Sequence, residues 1–172
     1  MPALREQIKA TARGSARRTA PITHTEDDMR REEMNQLIEE HLAAERAGDP
    51  AGSVAMYSED VIHDLVGSPL GRLQGPAAAQ RFYEFLDANI ETERMDVNHA
   101  RYGDDFCVIE HQWHGTVPGT LMGIAGHGRT ISFRMLHLWE FDGGRISREN
   151  VWLDTGEIIR QLSAEEAIAA PA

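Results

Sequence analysis

Apolar positions recur first at helical spacing. Met34, Leu37, Ile38 and Leu42 fall on one helix face, and His41 and Glu45 continue the same stripe. Gly48 stops that helix. Asp49-Pro50 pairs an N-cap with a proline at the first helical position, which predicts a short helix through Met56 and Tyr57. Val61-Ile62 is a brief strand signal, and Gly67-Ser68-Pro69 turns the chain. Gly75-Pro76 opens a third helix, with Phe82, Phe85, Leu86 and Ile90 on its buried side. The period then changes to two. Residues 93–102 alternate weakly, 106–116 read as a strand of mixed faces, and 117–128 form a glycine-rich connection. Residues 130–141 alternate clearly, with Ile131, Phe133, Met135, His137 and Trp139 on one face. Asp142-Gly143-Gly144 predicts a hairpin into a last strand, 145–153, followed by a last helix, 155–162.

Helices gathered early and strands gathered late predict an α+β fold. A strongly curved antiparallel sheet wrapped around the helices leaves a cavity between them, the default place for a ligand. The 172 residues suffice for one domain, expected over 25–163. Residues 1–24 lack a sustained apolar face and read as an arm outside the core; 164–172 read as a tail.

Charge narrows the function classes. Five bases against Glu6 give the first twenty residues +4, so the rest of a chain of net charge −11 carries −15. An acidic body of this kind is not expected to hold nucleic acid. No apolar run is long enough to span a membrane, and the start lacks the core of a secretory signal, so a cytoplasmic protein is expected. Cys107 is the only cysteine, which excludes an intramolecular disulfide and a cysteine-built zinc site. The glycine-rich stretch has neither a P-loop lysine nor a dinucleotide fingerprint, and a cofactor-free site is expected.

Two stretches carry a resemblance. One is Met56-Tyr57-Ser58-Glu59-Asp60-Val61-Ile62-His63-Asp64-Leu65-Val66-Gly67-Ser68, followed by Gly75 and Arg81-Phe82-Tyr83. The other comprises Gly115-Thr116, Gly128-Arg129-Thr130, Asp142-Gly143-Gly144-Arg145-Ile146, and Asp154 with Gln161-Leu162. The first is similar to ketosteroid isomerase around its catalytic aspartate, and the second to SnoaL-like polyketide cyclases. Over about residues 30–163 the chain thus resembles the nuclear transport factor 2-like superfamily, the cone-shaped α+β barrel. The resemblance implies a homodimer and a general base at Asp64, although His63 could take the inward position because the preceding segment is one residue shorter. It implies that His41 and His137 stand where the isomerase has its two oxyanion donors, and that Asp154 is the acid–base residue of the cyclase pattern.

The residues themselves leave several choices open. His41 interrupts an apolar stripe and reads either as a packed histidine or as a donor to a cavity. Asp64 beside Leu65 and Val66 is a buried base or a turn aspartate. His137 lies between Met135 and Trp139 on one strand face. His111 shares a face with Trp113, whereas His114 points the other way, so His111-x-x-His114 is a poor metal motif and no metal is expected. Asp154 is equally suited to capping the last helix. In the last strand, simple alternation groups Trp152 with Asp154, whereas the isomerase match puts Glu149, Val151 and Leu153 in the cavity. The leading expectation is a cofactor-independent acid–base enzyme acting on a small apolar carbonyl compound, by cyclisation, isomerisation or dehydration. Asp64 would move the proton, His41 and His137 would hydrogen-bond the enolate oxygen, His111 or Asp154 would return the proton or bind a second polar group, and His63, Trp113, Phe85, Leu86, Met135 and Trp139 would hold the substrate. The alternative is a non-catalytic binding module of the same fold.

Overall fold

A computed structural model describes residues 30–164. The arm 1–24, residues 25–29 and the tail beyond 164 lie outside the described residues. Helix α1 (Arg31–Arg46) buries Met34, Ile38, His41 and Leu42, the stripe that the spacing predicts. Gly48 ends it in a left-handed conformation, φ 63°. The Asp49 carboxylate accepts the Gly52 N–H at 2.9 Å and caps α2 (Pro50–Ser53). This helix is one turn long and does not continue through Tyr57. The N–H groups of Ala55 and Tyr57 turn back to Gly52 and Val54, and Tyr57 already opens β1 (Tyr57–Leu65). The first half of β1 escapes sequence reading because Glu59 and Asp60 face solvent.

After β2 (Arg72–Gln74), helix α3 (Pro76–Asp87) buries Ala79, Phe82 and Tyr83, with Leu86 half-buried. Phe85, expected on the buried side, is 51% exposed. At about 100° per residue it lies roughly a third of a turn from the centre of that stripe.

The long strands are β3 (Glu91–Tyr102), β4 (Phe106–Val117), β7 (Arg129–Asp142) and β8 (Arg145–Leu153). They form one sheet in the order β2-β1-β8-β7-β4-β3. The expected antiparallel sheet carries one parallel pair, β1 with β8, which joins the early half of the chain to the late half. Its two edges stay apart, so the cone is open and not a closed barrel. Register shifts in the β1–β8, β3–β4 and β7–β8 pairs bend it around the helices. Burial alternates strictly along β4, and His111 and His114 fall on opposite faces. Within the glycine-rich connection, β5 (Thr120–Leu121) and β6 (Ile124–Ala125) make a small hairpin of their own. Gly143 and Gly144 form the β7–β8 turn with positive φ at both positions, as a two-residue hairpin loop requires. Helix α4 (Thr155–Leu162) closes one end of the sheet, with Ile158 and Leu162 packed in a cluster with Trp113, Val117, Ile131 and Phe133.

Candidate active site

Between the helices and the concave sheet face lies a cavity of about 290 Å³. Most of its wall is apolar: Leu65, Phe82, Leu86, Met95, Trp113, Phe133, Met135 and Val151 all contribute. His63, Tyr83 and His137 of its lining gather at Glu149, whose direct partner across the parallel β1–β8 pair is His63.

Glu149 has no exposed surface. One of its oxygens, Oε2, is crowded: the Tyr57 hydroxyl donates to it in a short hydrogen bond, the Tyr83 hydroxyl at 3.3 Å, and His41 Nε2 stands 3.4 Å away. The two phenols are themselves 2.9 Å apart. Its other oxygen, Oε1, is buried with no hydrogen-bond partner among the described residues. His137 Nε2 stands 3.7 Å from it, beyond hydrogen-bond distance. His63 also lines the cavity, and both its ring nitrogens are buried without partners.

Protonation follows from this geometry. Burial works against charge on His41, but the adjacent Glu149 carboxylate outweighs it and raises the imidazole to about 9. Burial works against Glu149 too, yet His41 holds its carboxyl well below the usual range. The pair is therefore ionic at neutral pH. His41 Nδ1 lies 2.7 Å from the Ser53 carbonyl, which can only accept, so that nitrogen carries a proton. Burial, reinforced by Glu149, keeps the Tyr57 and Tyr83 phenols protonated. Burial also lowers His63, His111 to about 4 and His137 to about 3, so all three are neutral. His111 Nδ1 and His137 Nδ1 are 3.2 Å apart, and in neutral rings one donates to the other. Trp139 stacks flat on His137, at 4.5 Å between ring centroids, and fixes that ring from behind.

A family model described as a SnoaL-like domain matches residues 38–149, more than half of the chain. The chain belongs to the SnoaL-like domain family. Solved structures agree on the fold. TsrD from Streptomyces laurentii is 20% identical at a TM-score of 0.69, over 80% of this chain and 100% of that one. A candidate polyketide cyclase from Xanthomonas campestris pv. campestris is 24% identical at 0.67, over 77% and 98%. An epoxide hydrolase of the LEH-like type from M. tuberculosis is 15% identical at 0.61, over 76% and 90%. No curated protein sequence matches the chain.

In this SnoaL-like domain the inward position on β1 belongs to His63 and not to Asp64. Val61, fully buried, sets the phase, and Asp64 points outward to Arg72 at 3.3 Å. Asp154 is the N-cap of α4: its Oδ1 accepts the Glu157 N–H at 3.1 Å, and its Oδ2 stands 3.7 Å from Arg134, outside the cavity lining. His137, His63, Trp113, Leu86 and Met135 line the cavity. His41 and His111 stand one layer behind it, as does Trp139, and Phe85 lies outside. The residues around which the site turns are Glu149, Tyr57, Tyr83 and Glu45. Their sequence signal is weak but present: Glu149 is a carboxylate in phase with Val151 and Leu153, and Glu45 follows His41 by one helical turn.

Proposed function

We propose that this SnoaL-like domain is a cofactor-independent acid–base enzyme acting on a small, mostly apolar carbonyl compound, with Glu149 as the proton acceptor in place of Asp64. The observation that carries this reading is the asymmetry of Glu149. Oε2 is held by Tyr57, Tyr83 and His41, while ionised Oε1 is buried and unpartnered beside two neutral imidazoles. Oε1, without a hydrogen-bond donor among the described residues, is open to a carbon-bound proton, and the pull of His41 that keeps it ionised also makes it a weaker base than an ordinary carboxylate.

The step is enolisation. The bond from the carbon next to the carbonyl to its hydrogen breaks, the proton passes to Glu149 Oε1, and the electron pair moves onto the carbonyl oxygen. N–H groups of His63 and His137 donate to that oxygen, and being neutral they do not themselves protonate it in the ground state. Return of the proton from Glu149 to another carbon gives isomerisation. Attack of the enolate on a second carbonyl gives ring closure, and loss of a β-hydroxyl gives dehydration. The volume suits a substrate of on the order of ten non-hydrogen atoms, judged against about 30 Å³ for a liquid water.

The test is exchange of the carbon-bound protons of 4-phenylbutan-2-one in D₂O, followed by NMR. The protein is expected to accelerate exchange at the carbons beside the carbonyl, and Glu149→Gln to remove at least about a hundredfold of that rate. Binding of the ketone without acceleration would support the non-catalytic module.

The proposal extends to assembly. On the convex sheet face Leu136 and Trp152 are direct cross-strand neighbours, 36% and 38% exposed. A homodimer that covers this face leaves the cavity open on the other side.

A further inference from the structure

His111 on β4 and His137 on β7 are diagonal neighbours on the concave face: Ile109 stands opposite His137, and Met135 opposite His111. The two rings meet edge to face at 81°, with 5.1 Å between centroids, and their Nδ1 atoms lie 3.2 Å apart. His137 lines the cavity, whereas His111 is buried one layer behind it. Burial holds both rings neutral, so each carries a single N–H. One of the two Nδ1 atoms must donate and the other accept. The owner of the shared proton therefore also decides whether His137 Nε2 carries a hydrogen.

In one arrangement His137 Nδ1 donates, and a bare Nε2 stands 3.7 Å from the ionised, unpartnered Oε1 of Glu149. Neither atom can then offer the other a proton, and two electron-rich groups are buried together. In the other arrangement His111 Nδ1 donates, and His137 presents an N–H to the same oxygen. The carboxylate attracts the positive end of that N–H and repels a lone pair, with little water to screen either effect. We infer that His111 is a positioning residue: its Nδ1–H donates to His137 Nδ1 and so fixes the hydrogen of His137 on Nε2, beside the Glu149 oxygen that takes the proton. The inference rests on the reading of this cavity as a site of enolisation, and adds the group that makes His137 a donor there. Nε2 is too far from Oε1 to hydrogen-bond with it, so its hydrogen remains for an incoming carbonyl oxygen. The same contact sets the rotamer. A half-turn of the His137 ring would put carbon where Nδ1 stands and lose the bond to His111, while Trp139, stacked at 8° to that ring, holds its plane.

Two measurements test this on the full chain. With ¹⁵N-labelled histidine, NMR at neutral pH reads which ring nitrogens carry protons. The expected spectrum shows a coupling across the hydrogen bond between the two Nδ1 atoms, with the proton on His111 Nδ1 and a second proton on His137 Nε2. A proton on His137 Nδ1, or no proton between the two nitrogens, overturns the inference. In the exchange of 4-phenylbutan-2-one, His111→Phe is expected to lose at least about tenfold in rate and no more than about a thousandfold, the contribution of a whole oxyanion donor, with ketone affinity held within about threefold. His111→Asn offers an amide N–H where Nδ1–H stood, and is expected to recover most of that loss. A folded His111→Phe chain that exchanges the ketone at the native rate, or a His111→Asn chain as slow as His111→Phe, overturns the positioning role. If exchange depends on Glu149 while the shared proton sits on His137, the inference fails alone. If the native chain accelerates no exchange, the enzymatic reading fails, and the spectrum still decides which histidine donates.

Discussion

A carboxylate with no exposed surface persists at position 149 because an imidazolium and two phenols converge on one of its oxygens. Removing one partner of such a pair strands the other. Glu149→Gln should therefore lower stability by about 3–5 kcal/mol, and denaturant titration would show it. It should also drop His41 well below about 9, because burial then acts with less opposition, and NMR of the imidazole would follow that change. Tyr57→Phe should cost less, about 1.5–3 kcal/mol, as one hydrogen bond to a charged group is lost. The two aspartates favoured by sequence behave differently. Asp154→Ala should remove about 1 kcal/mol through its cap, with ketone exchange retained. Asp64→Asn should cost no more than about 1 kcal/mol, since its partner Arg72 is largely exposed. His137 was legible as a cavity residue because it interrupts an apolar face, and His63 only because the segment before it is one residue shorter than in the family it resembles. Asp64 was misleading for a physical reason: Ile62 and Val66 flank it at the same phase as Val61 and Leu65 flank His63, so both faces of β1 look apolar.

At the scale of elements, the period of the apolar pattern located β7, β8 and α4 almost to the residue. It located α3 but not its rotation. Phe82 and Phe85 look alike in sequence, yet only Phe82 packs, at 4.8 Å from the His63 ring. Phe82→Ala should therefore cost about 3–5 kcal/mol, and Phe85→Ser should stay within about 0.5 kcal/mol; thermal melts of the two variants would separate them. The pairing of β1 with β8 could not be read from pattern at all, because parallel pairing across most of the chain leaves no local mark. That pairing is what puts His63 opposite Glu149 and settles the phase of the last strand in favour of Glu149, Val151 and Leu153. Trp152 turns outward as a result.

For the whole molecule, the buried ionisable cluster fixes how stability depends on pH. Below about 6.5, the ordinary histidine value, the unfolded chain takes up protons that folded His63, His111 and His137 refuse. Glu45, holding its proton up to about 7, offsets one of them. A net difference of about one to two protons makes stability fall by roughly 1.4–2.7 kcal/mol for each pH unit of acidification between about 6.5 and 5. His41 acts in the opposite direction. Its raised value contributes stability that is complete below about 6.5 and is lost as pH rises through about 9, at roughly 1.4 kcal/mol per unit. Unfolding free energy measured against pH should peak near 6.5–7, and a profile that rises steadily to pH 9 would contradict the His41–Glu149 ion pair. Assembly is tested at the same scale: sedimentation at micromolar concentration should show a dimer, and Trp152→Glu should shift it to a monomer of 19.2 kDa. The parallel β1–β8 pair also decides when the site comes into being. During synthesis His41, His63 and Tyr83 leave the ribosome long before Glu149, and until that strand arrives His41 has only Glu45, one helical turn on, as a counter-charge and β1 is open on the side that β8 will cover. Closing so large a loop is slow, on the order of milliseconds to seconds for topologies dominated by distant pairings. A nascent chain arrested after Asp142 should therefore be captured by chaperones and digested by protease, and the full chain, which carries β8 and α4, should escape both.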